Sequence, residues 1–497
     1  MSKIRLTYSG LLFFIASITS VATGIIFAVI VTRNLEPDEF GLWRLIGGLI
    51  AYFGFIHPIA SYWVTRHISR GEEAGRTGLI TSGSFSVGSV LAYILLIAFV
   101  SDATNSSYTL LLLAAALIPA TYISSTLDSI NWGFKVEATG YALFAFEAAK
   151  IPAALYFVEI SDMSLAGAII ATLTAYGLRI SVSLYYAREK IKERYNFVLL
   201  KRWLRLSWLV IYSNAMEPIF ALDVLIFALI LSTVESLAFY AAATAITALV
   251  VHSGGLARGL YPKLLVDNKK EYVEVVLKRI FVFGIPLLAA VIVFAKPALF
   301  LLNPIYTVAE PAVYIFAFAS IGYMLTYQLY RVLMGIERVD VNLDSKFSDY
   351  VKSKLFLVPT LQYIQYALYI GLLTIVLLIG LHSGLSHIEI IMLWATVALL
   401  TEIPFTIYAW QTVKKNLGLA FPIKNIARYA LASGVAAVIL YLINPYILIY
   451  DASIFVFAPR LAAVLSIGGA IYFSIIYLID SDFKALTNAV ITALKSI

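Results

Sequence analysis

The sequence predicts an all-α, polytopic membrane protein of about fourteen transmembrane helices, with both ends on the cytoplasmic side. Three observations predict this. Of 497 residues, 61% are hydrophobic and only 13% charged, where soluble chains run nearer half apolar and a quarter charged. The apolar residues come in runs of about 20, the length that carries a helix across roughly 30 Å of hydrocarbon. The Lys and Arg residues collect in alternate gaps between those runs, as they do when the gaps lie on opposite sides of a bilayer.

Lys3 and Arg5 precede the first run, 10–32. It lacks a small-residue cleavage site and continues past Gly24, so it reads as a first membrane helix and not as a removed signal. The spans that follow are 41–62, 79–100, 108–130, 141–160, 164–187, 207–231, 237–256, 280–302, 311–334, 357–380, 388–411, 428–448 and 456–479. Inside hydrocarbon each backbone N–H and C=O must be satisfied within the segment, which makes each run a helix.

With the N-terminus inside, all but six of the 36 Lys/Arg residues fall in inner segments. The six are Arg33, Arg44, Lys150, Arg179, Lys296 and Arg460, while the outer loops 101–107 and 381–387 hold none. This asymmetry fixes a multi-pass orientation in a cell membrane. It also explains the net charge of +7 without nucleic acid, whose binding needs a one-sided basic patch.

The largest inner loop, 188–206, carries Arg188, Lys190, Lys192, Arg194, Lys201, Arg202 and Arg205. It suits anionic lipid, with Trp203 and Trp208 as interface anchors. It also separates six helices from eight. We therefore expect an N-terminal lobe over 1–200, a C-terminal lobe over 201–427, and two further helices with a tail over 428–497.

An internal echo supports the lobes. Segment 28–44 and segment 228–241 each end a helix, pass a short acidic turn and restart with a small residue beside an aromatic. The copies lie about 197 residues apart, which sets Arg66 against Lys263. An even number of crossings between them makes the repeats parallel. Duplicated halves around a midplane site are a common transporter plan, and paired helix breaks point to the substrate path. Candidate breaks are Pro58 in the second span, Gly254 and Gly255 in the eighth, and Pro218 in the seventh, since Pro removes a backbone donor and Gly lowers stiffness.

The run Val31-Thr32-Arg33-Asn34-Leu35-Glu36-Pro37-Asp38-Glu39-Phe40-Gly41-Leu42-Trp43 resembles the polysaccharide-biosynthesis exporters of the multidrug/oligosaccharidyl-lipid/polysaccharide exporter superfamily. There a turn similar to Arg-Leu-Gly-Pro precedes Phe-Gly-Leu; Asn34 and Glu36 stand here for Leu and Gly. Asp223, late in the seventh span, and the Tyr-containing turn 303–312 fit the same pattern. The resemblance covers most of 1–335. It implies two six-helix lobes in a V with two added C-terminal helices, and alternating-access transport of lipid-linked oligosaccharide. Related drug exporters expel organic cations.

Ionisable groups at bilayer depth cost about 2.5–3.5 kcal/mol on insertion scales, so they face a partner or a cavity. Glu147 and Lys150 share one face of the fifth span, as a self-neutralising pair or as a substrate contact. Arg179 in the sixth span either snorkels or faces a cavity, and Arg44 reaches the outer interface or the cleft. A guanidinium fork suits a pyrophosphate. Arg44, Lys150 and Arg179 are thus the candidate substrate-binding residues. Glu147, Glu217, Asp223 and Glu402 are candidates for ion coupling, with H+ or Na+, or else structural carboxylates. Glu217 precedes Pro218, and Glu402 lies two residues before Pro404.

Cysteine is absent, which removes disulfides and thiolate chemistry. No P-loop, dinucleotide glycine pattern, zinc-ligand spacing or nucleophile elbow occurs, so we expect no cofactor, no metal and no enzyme. Asn105-Ser106-Ser107 matches the glycosylation acceptor pattern in an outer loop. The expected protein is a monomeric flippase moving a polyprenyl-pyrophosphate glycan, its cationic cleft holding the head while the tail stays in membrane lipid. The alternatives are an organic-cation exporter of the same superfamily and an outer-face glycan polymerase or ligase. The exporter would want an acidic cleft, and the enzyme a large outer loop that this chain lacks.

Overall fold

A computed structural model describes residues 19–20, 22–257, 264, 269–339, 347–451, 453–485 and 487–488. The side chains of Leu206, Leu209, Ser213, Glu217 and Phe347 fall outside that description. The described residues are almost wholly helical and contain no strand. Ten helices are long and apolar enough to cross a membrane, and a bent pair makes an eleventh. The chain is a multi-pass membrane protein.

The ten cover ten of the expected spans. The other four are shaped differently. The first is described as α1, Ala22–Asn34, because residues 1–18 and 21 lie outside the described residues. The second is α2, Pro37–Phe53, and α3, Pro58–Ser69, bent by 58°. The fifth is α7, Glu137–Ala154, running into a π-helical turn at Leu155–Ile160. The seventh is divided at Ala215 into α9, Phe197–Asn214, and α10, Met216–Leu231.

Two compact units form: Met1–Phe239 with Ile370–Leu385, and Tyr240–Tyr369 with Ser386–Ile497. The change from the first to the second falls inside α11, Glu235–His252, beyond the basic loop 188–206.

In the first unit, α4 (Gly75–Thr104), α5 (Tyr108–Ala114), α6 (Leu117–Phe134) and α8 (Ser164–Ile191) join α1–α3, α7, α9 and α10. Helix α7 lies along α8, and α6 packs on α3, α4 and α8. Helix α2 meets α10 through glycine. Gly48 lies 3.5 Å, by the position of an added methyl, from Val224 Cβ. At Gly41 such a methyl would sit 1.7 Å from the Val234 carbonyl oxygen, so no other residue fits. The two echoing segments thus pack against each other at Gly41 and Val234.

The bend at 54–57 frees a carbonyl that lipid cannot satisfy. Phe53 O accepts from Tyr122 Oη at 2.7 Å and from Ser89 Oγ at 3.0 Å. Pro58 then opens α3, where its missing N–H costs nothing. Trp203 does not anchor at an interface as expected from its place in the basic loop. It is fully buried against Val64, Ile68, Leu127, Ile130 and Ala187, because α9 turns that face onto α3. Trp208 is exposed, as an anchor would be.

The second unit contains the rest of α11, α12 (Lys270–Val293), α13 (Ala295–Leu302), α14 (Glu310–Gly335), α15 (Phe347–Val351) and the first half of α16 (Lys354–His382). It also holds α17 (His387–Leu417), α18 (Ile423–Ile447) and α19 (Ile454–Ile479). Helix α14 lies along α17, and α18 packs on both α12 and α19. Gly254 and Gly255 fall in a 3-10 turn, Ser253–Ala257, after α11. The Gly254 carbonyl accepts from Gln328 Nε2 at 3.1 Å, so this break too is satisfied by a side chain from a neighbouring helix.

Candidate functional site

Two groups of polar residues stand out, one within each unit. In the first, Glu147 and Lys150 lie one turn apart on α7 and form an ion pair. Ser20 Oγ donates to Glu147 Oε1 at 2.6 Å and Thr23 Oγ1 donates to Oε2. The carboxylate is therefore held by three donors, two of them from the middle of the first span. The pair is buried, with side-chain exposures of 11% for Lys150 and 3% for Glu147.

The Lys150 ammonium also sits 5.4 Å from the Phe146 ring and 5.9 Å from that of Phe27. The Phe146 ring faces a second cation, the Arg179 guanidinium, at 5.7 Å. Aromatic faces attract cations by their quadrupole, so one ring on α7 links two charges from different helices. Arg179 in turn donates to Asp128 Oδ2 on α6 at 2.6 Å, and Ser183 donates to Oδ1 at 3.3 Å. This second pair is more open, at 24% exposure for Arg179 and 17% for Asp128. Arg179 Nε is buried with no hydrogen-bond partner among the described residues.

Two of the expected substrate residues, Lys150 and Arg179, are thus brought to one ring, each with a carboxylate partner. Asp128 was not singled out from the sequence. Its signal was there: it is the one acidic residue in the span 108–130, near the same end of the membrane as Arg179. Arg44 is half-buried on α2, one turn from Gly48 on the stripe that meets α10. Asp223 is buried beside the Val224 that Gly48 touches, and its Oδ1 accepts from the Val224 N–H at 2.7 Å. Pro218 lies in the first turn of α10, just after the break at Ala215. The Glu217 side chain lies outside the described residues.

The second site is built on Glu402 of α17, which is 6% exposed. Its Oε2 accepts from Gln365 Nε2 of α16 at 2.8 Å. Among the described residues its Oε1 has no hydrogen-bond partner and no ion pair to Glu402 occurs. The chain of α14 makes room for it at Gly322, where an added methyl would lie 3.0 Å from Glu402 Cγ. Beside it, the hydroxyls of Thr326 and Thr406 bond to each other at 2.5 Å. Gln365 and Thr326 are further residues the sequence reading did not single out. Amides and hydroxyls are common in membrane helices, and only their convergence on a carboxyl marks them.

Among the described residues no group of three or more His, Cys, Asp or Glu side chains could hold a metal ion.

No family model and no curated protein sequence matches the chain. Solved structures do. One titled as lipid II flippase MurJ in an inward closed conformation matches with TM-score 0.68 and 15% identity, covering 95% of this chain and 99% of its own. An inward-facing multidrug resistance MATE family transporter of the MOP superfamily matches with TM-score 0.59 and 13% identity, over 80% of this chain and 95% of that one. An outward-facing structure of such a transporter gives TM-score 0.52 and 14% identity, over 83% and 95%. The fold is similar to theirs. Identity this low speaks to fold and not to cargo.

Proposed function

We propose that the chain is a flippase for lipid-linked oligosaccharide, working by alternating access as one of the multidrug/oligosaccharidyl-lipid/polysaccharide exporters. We take it to cross a cell membrane fourteen times as two six-helix lobes and an added pair, with both ends cytoplasmic. The observation that carries the reading is the pair of cations, Lys150 and Arg179, that meet at the Phe146 ring, 5.4 and 5.7 Å from its centroid. A polyprenyl-pyrophosphate head is a compact dianion or more, and needs two cations to leave water. In the absence of cargo, Glu147 and Asp128 neutralise those cations inside the membrane. Cargo phosphate then competes with the carboxylates, most readily at the more open Arg179. The apolar tail stays in lipid, so only the head crosses. Arg44 is the third cation available to the head group.

Glu402 supplies the coupling site on this reading. A buried carboxyl with one oxygen unpartnered takes up a proton, or accepts Na+ beside the neighbouring oxygens, at lower cost than one held by a cation. Glu147, Asp223 and Glu217 are the other carboxyls open to that role. A second reading, an organic-cation exporter, is favoured by the same Glu402, since a lone buried carboxylate would attract a cationic cargo.

The test is glycan export in cells carrying R179Q or K150Q, with surface abundance of each variant measured alongside. Loss of export at normal abundance supports the flippase. Normal glycan assembly in both variants, together with drug hypersensitivity of an E402Q strain, would hand the function to the cation exporter.

A further inference from the structure

The basic loop and α9 are fixed to the body of the first unit more firmly than a loop needs to be. Asn196 caps α9, its side chain accepting from the Leu199 N–H at 3.0 Å, and its own N–H donates to Thr77 Oγ1 at 2.9 Å. Glu193 accepts from the Gly75 N–H at 3.0 Å and from Lys190 Nζ at 2.8 Å. An added methyl at Gly75 would lie 2.3 Å from the Lys190 carbonyl oxygen. Trp203 then locks the helix into the core.

What this rigid frame presents outward is a mixed surface. Along α9, Phe197, Lys201, Leu204 and Trp208 follow at helical spacing, with Val198, Arg202 and Arg205 beside them. All seven are exposed, Phe197 at 66% and Val198 at 78%. Among the described residues, none of Lys201, Arg202, Arg205, Arg188, Lys192 and Arg194 forms an ion pair with a carboxylate. Glu72, an acid that feels Arg202, has its carboxyl already bonded to His67 at 2.5 Å. Open water penalises the aromatic and aliphatic members of this surface, and hydrocarbon penalises the cations. Only the boundary between acyl chains and anionic headgroups satisfies both.

We propose that the exposed face of α9, with Arg188, Lys192 and Arg194 of the preceding turn, binds anionic phospholipid headgroups of the leaflet on the basic-loop side. The headgroup phosphate is held by Lys201, Arg202 and Arg205, and the upper acyl chain lies against Phe197, Leu204 and Trp208. This site is separate from the Lys150–Arg179 track and does not depend on the cargo.

The full chain is reconstituted in bilayers of phosphatidylcholine with phosphatidylglycerol, released, and its retained lipid measured by native mass spectrometry. The wild-type chain should retain phosphatidylglycerol preferentially. The K201Q/R202Q/R205Q variant should retain several-fold less, while K414Q/K415Q/K424Q, in another basic loop, retains as much as wild type. Equal retention by the α9 variant would overturn the assignment. Should that variant not fold, a salt titration of the wild-type chain decides: retention falls with ionic strength if the cations hold the lipid, and indifference to salt refutes it. Displacement of the lipid by inorganic phosphate at matched phosphate concentration would instead mean a soluble-anion site, and would also refute it.

Discussion

The two units solve the same problem in opposite ways. The first sets four charges in two pairs, Glu147 with Lys150 and Asp128 with Arg179, and buries Asp223 as well. In the second, Glu402 is buried with an amide bonded to it and two hydroxyls nearby, and no cation pairs with it among the described residues. A cancelled pair is cheap to keep in either state of a transport cycle but costly to break on one side. A lone carboxyl is costly to keep charged and cheap to protonate. On the function proposed above, the difference separates a site that would exchange counter-ions from one that would take up a proton.

The largest effect expected is at Lys150. K150A strands Glu147, and removal of one partner of a buried pair costs about 3–5 kcal/mol. The double variant E147Q/K150M removes both charges and should recover most of that loss. Denaturant or thermal unfolding of both variants checks the contrast; equal loss in the single and double variants would mean that Lys150 does not act by neutralising Glu147.

Next is Gly41. G41A places a methyl 1.7 Å from the Val234 oxygen, and overpacking of this kind costs about 1–3 kcal/mol. G47A, where an added methyl meets nothing within 4 Å, should be close to neutral in the same unfolding assay.

At Glu402 the comparison is tested from the other side. E402Q leaves no charge unpaired, so stability should change by less than about 1 kcal/mol, while the pH dependence of transport flattens. A loss as large as that of K150A would show that Glu402 has a cationic partner after all.

The smallest effect lies outside the membrane, at Glu337 in the second unit. Burial pushes its carboxyl up, but the backbone N–H groups of Lys354 and Arg338 and the Lys354 ammonium hold it below the usual carboxylate range. A depressed folded-state value adds stability at neutral pH that is lost as pH falls through it. Solvent screening keeps the effect to roughly 0.5 kcal/mol. The acid limb of a stability-pH curve should therefore be slightly shallower in E337Q.

How far the sequence could be read depended on the range of the interaction. Ten of the expected spans coincide with long apolar helices because hydropathy adds up along a continuous stretch. Span 141–160 was read from the same signal, and its helix carries the charges that lower its apolar score. Glu147 and Lys150 were legible as a pair because they are three residues apart on one helix. Asp128 and Arg179, 51 residues apart, were not, and only Arg179 was picked out. Trp203 was assigned to the interface by its neighbours in the chain, yet lies in the core, because the face a helix turns inward depends on what packs against it.

Composition and the rhythm of apolar runs and basic loops determined by themselves that this chain lives in a membrane as helices, and which residues are out of place there. Those properties are sums over neighbours in the chain. Which charge meets which, that Phe146 links two cations, and that no cation pairs with Glu402 among the described residues, only the packed helices decided. Partners on different helices are joined by geometry in three dimensions, and no periodicity along one strand of sequence records it.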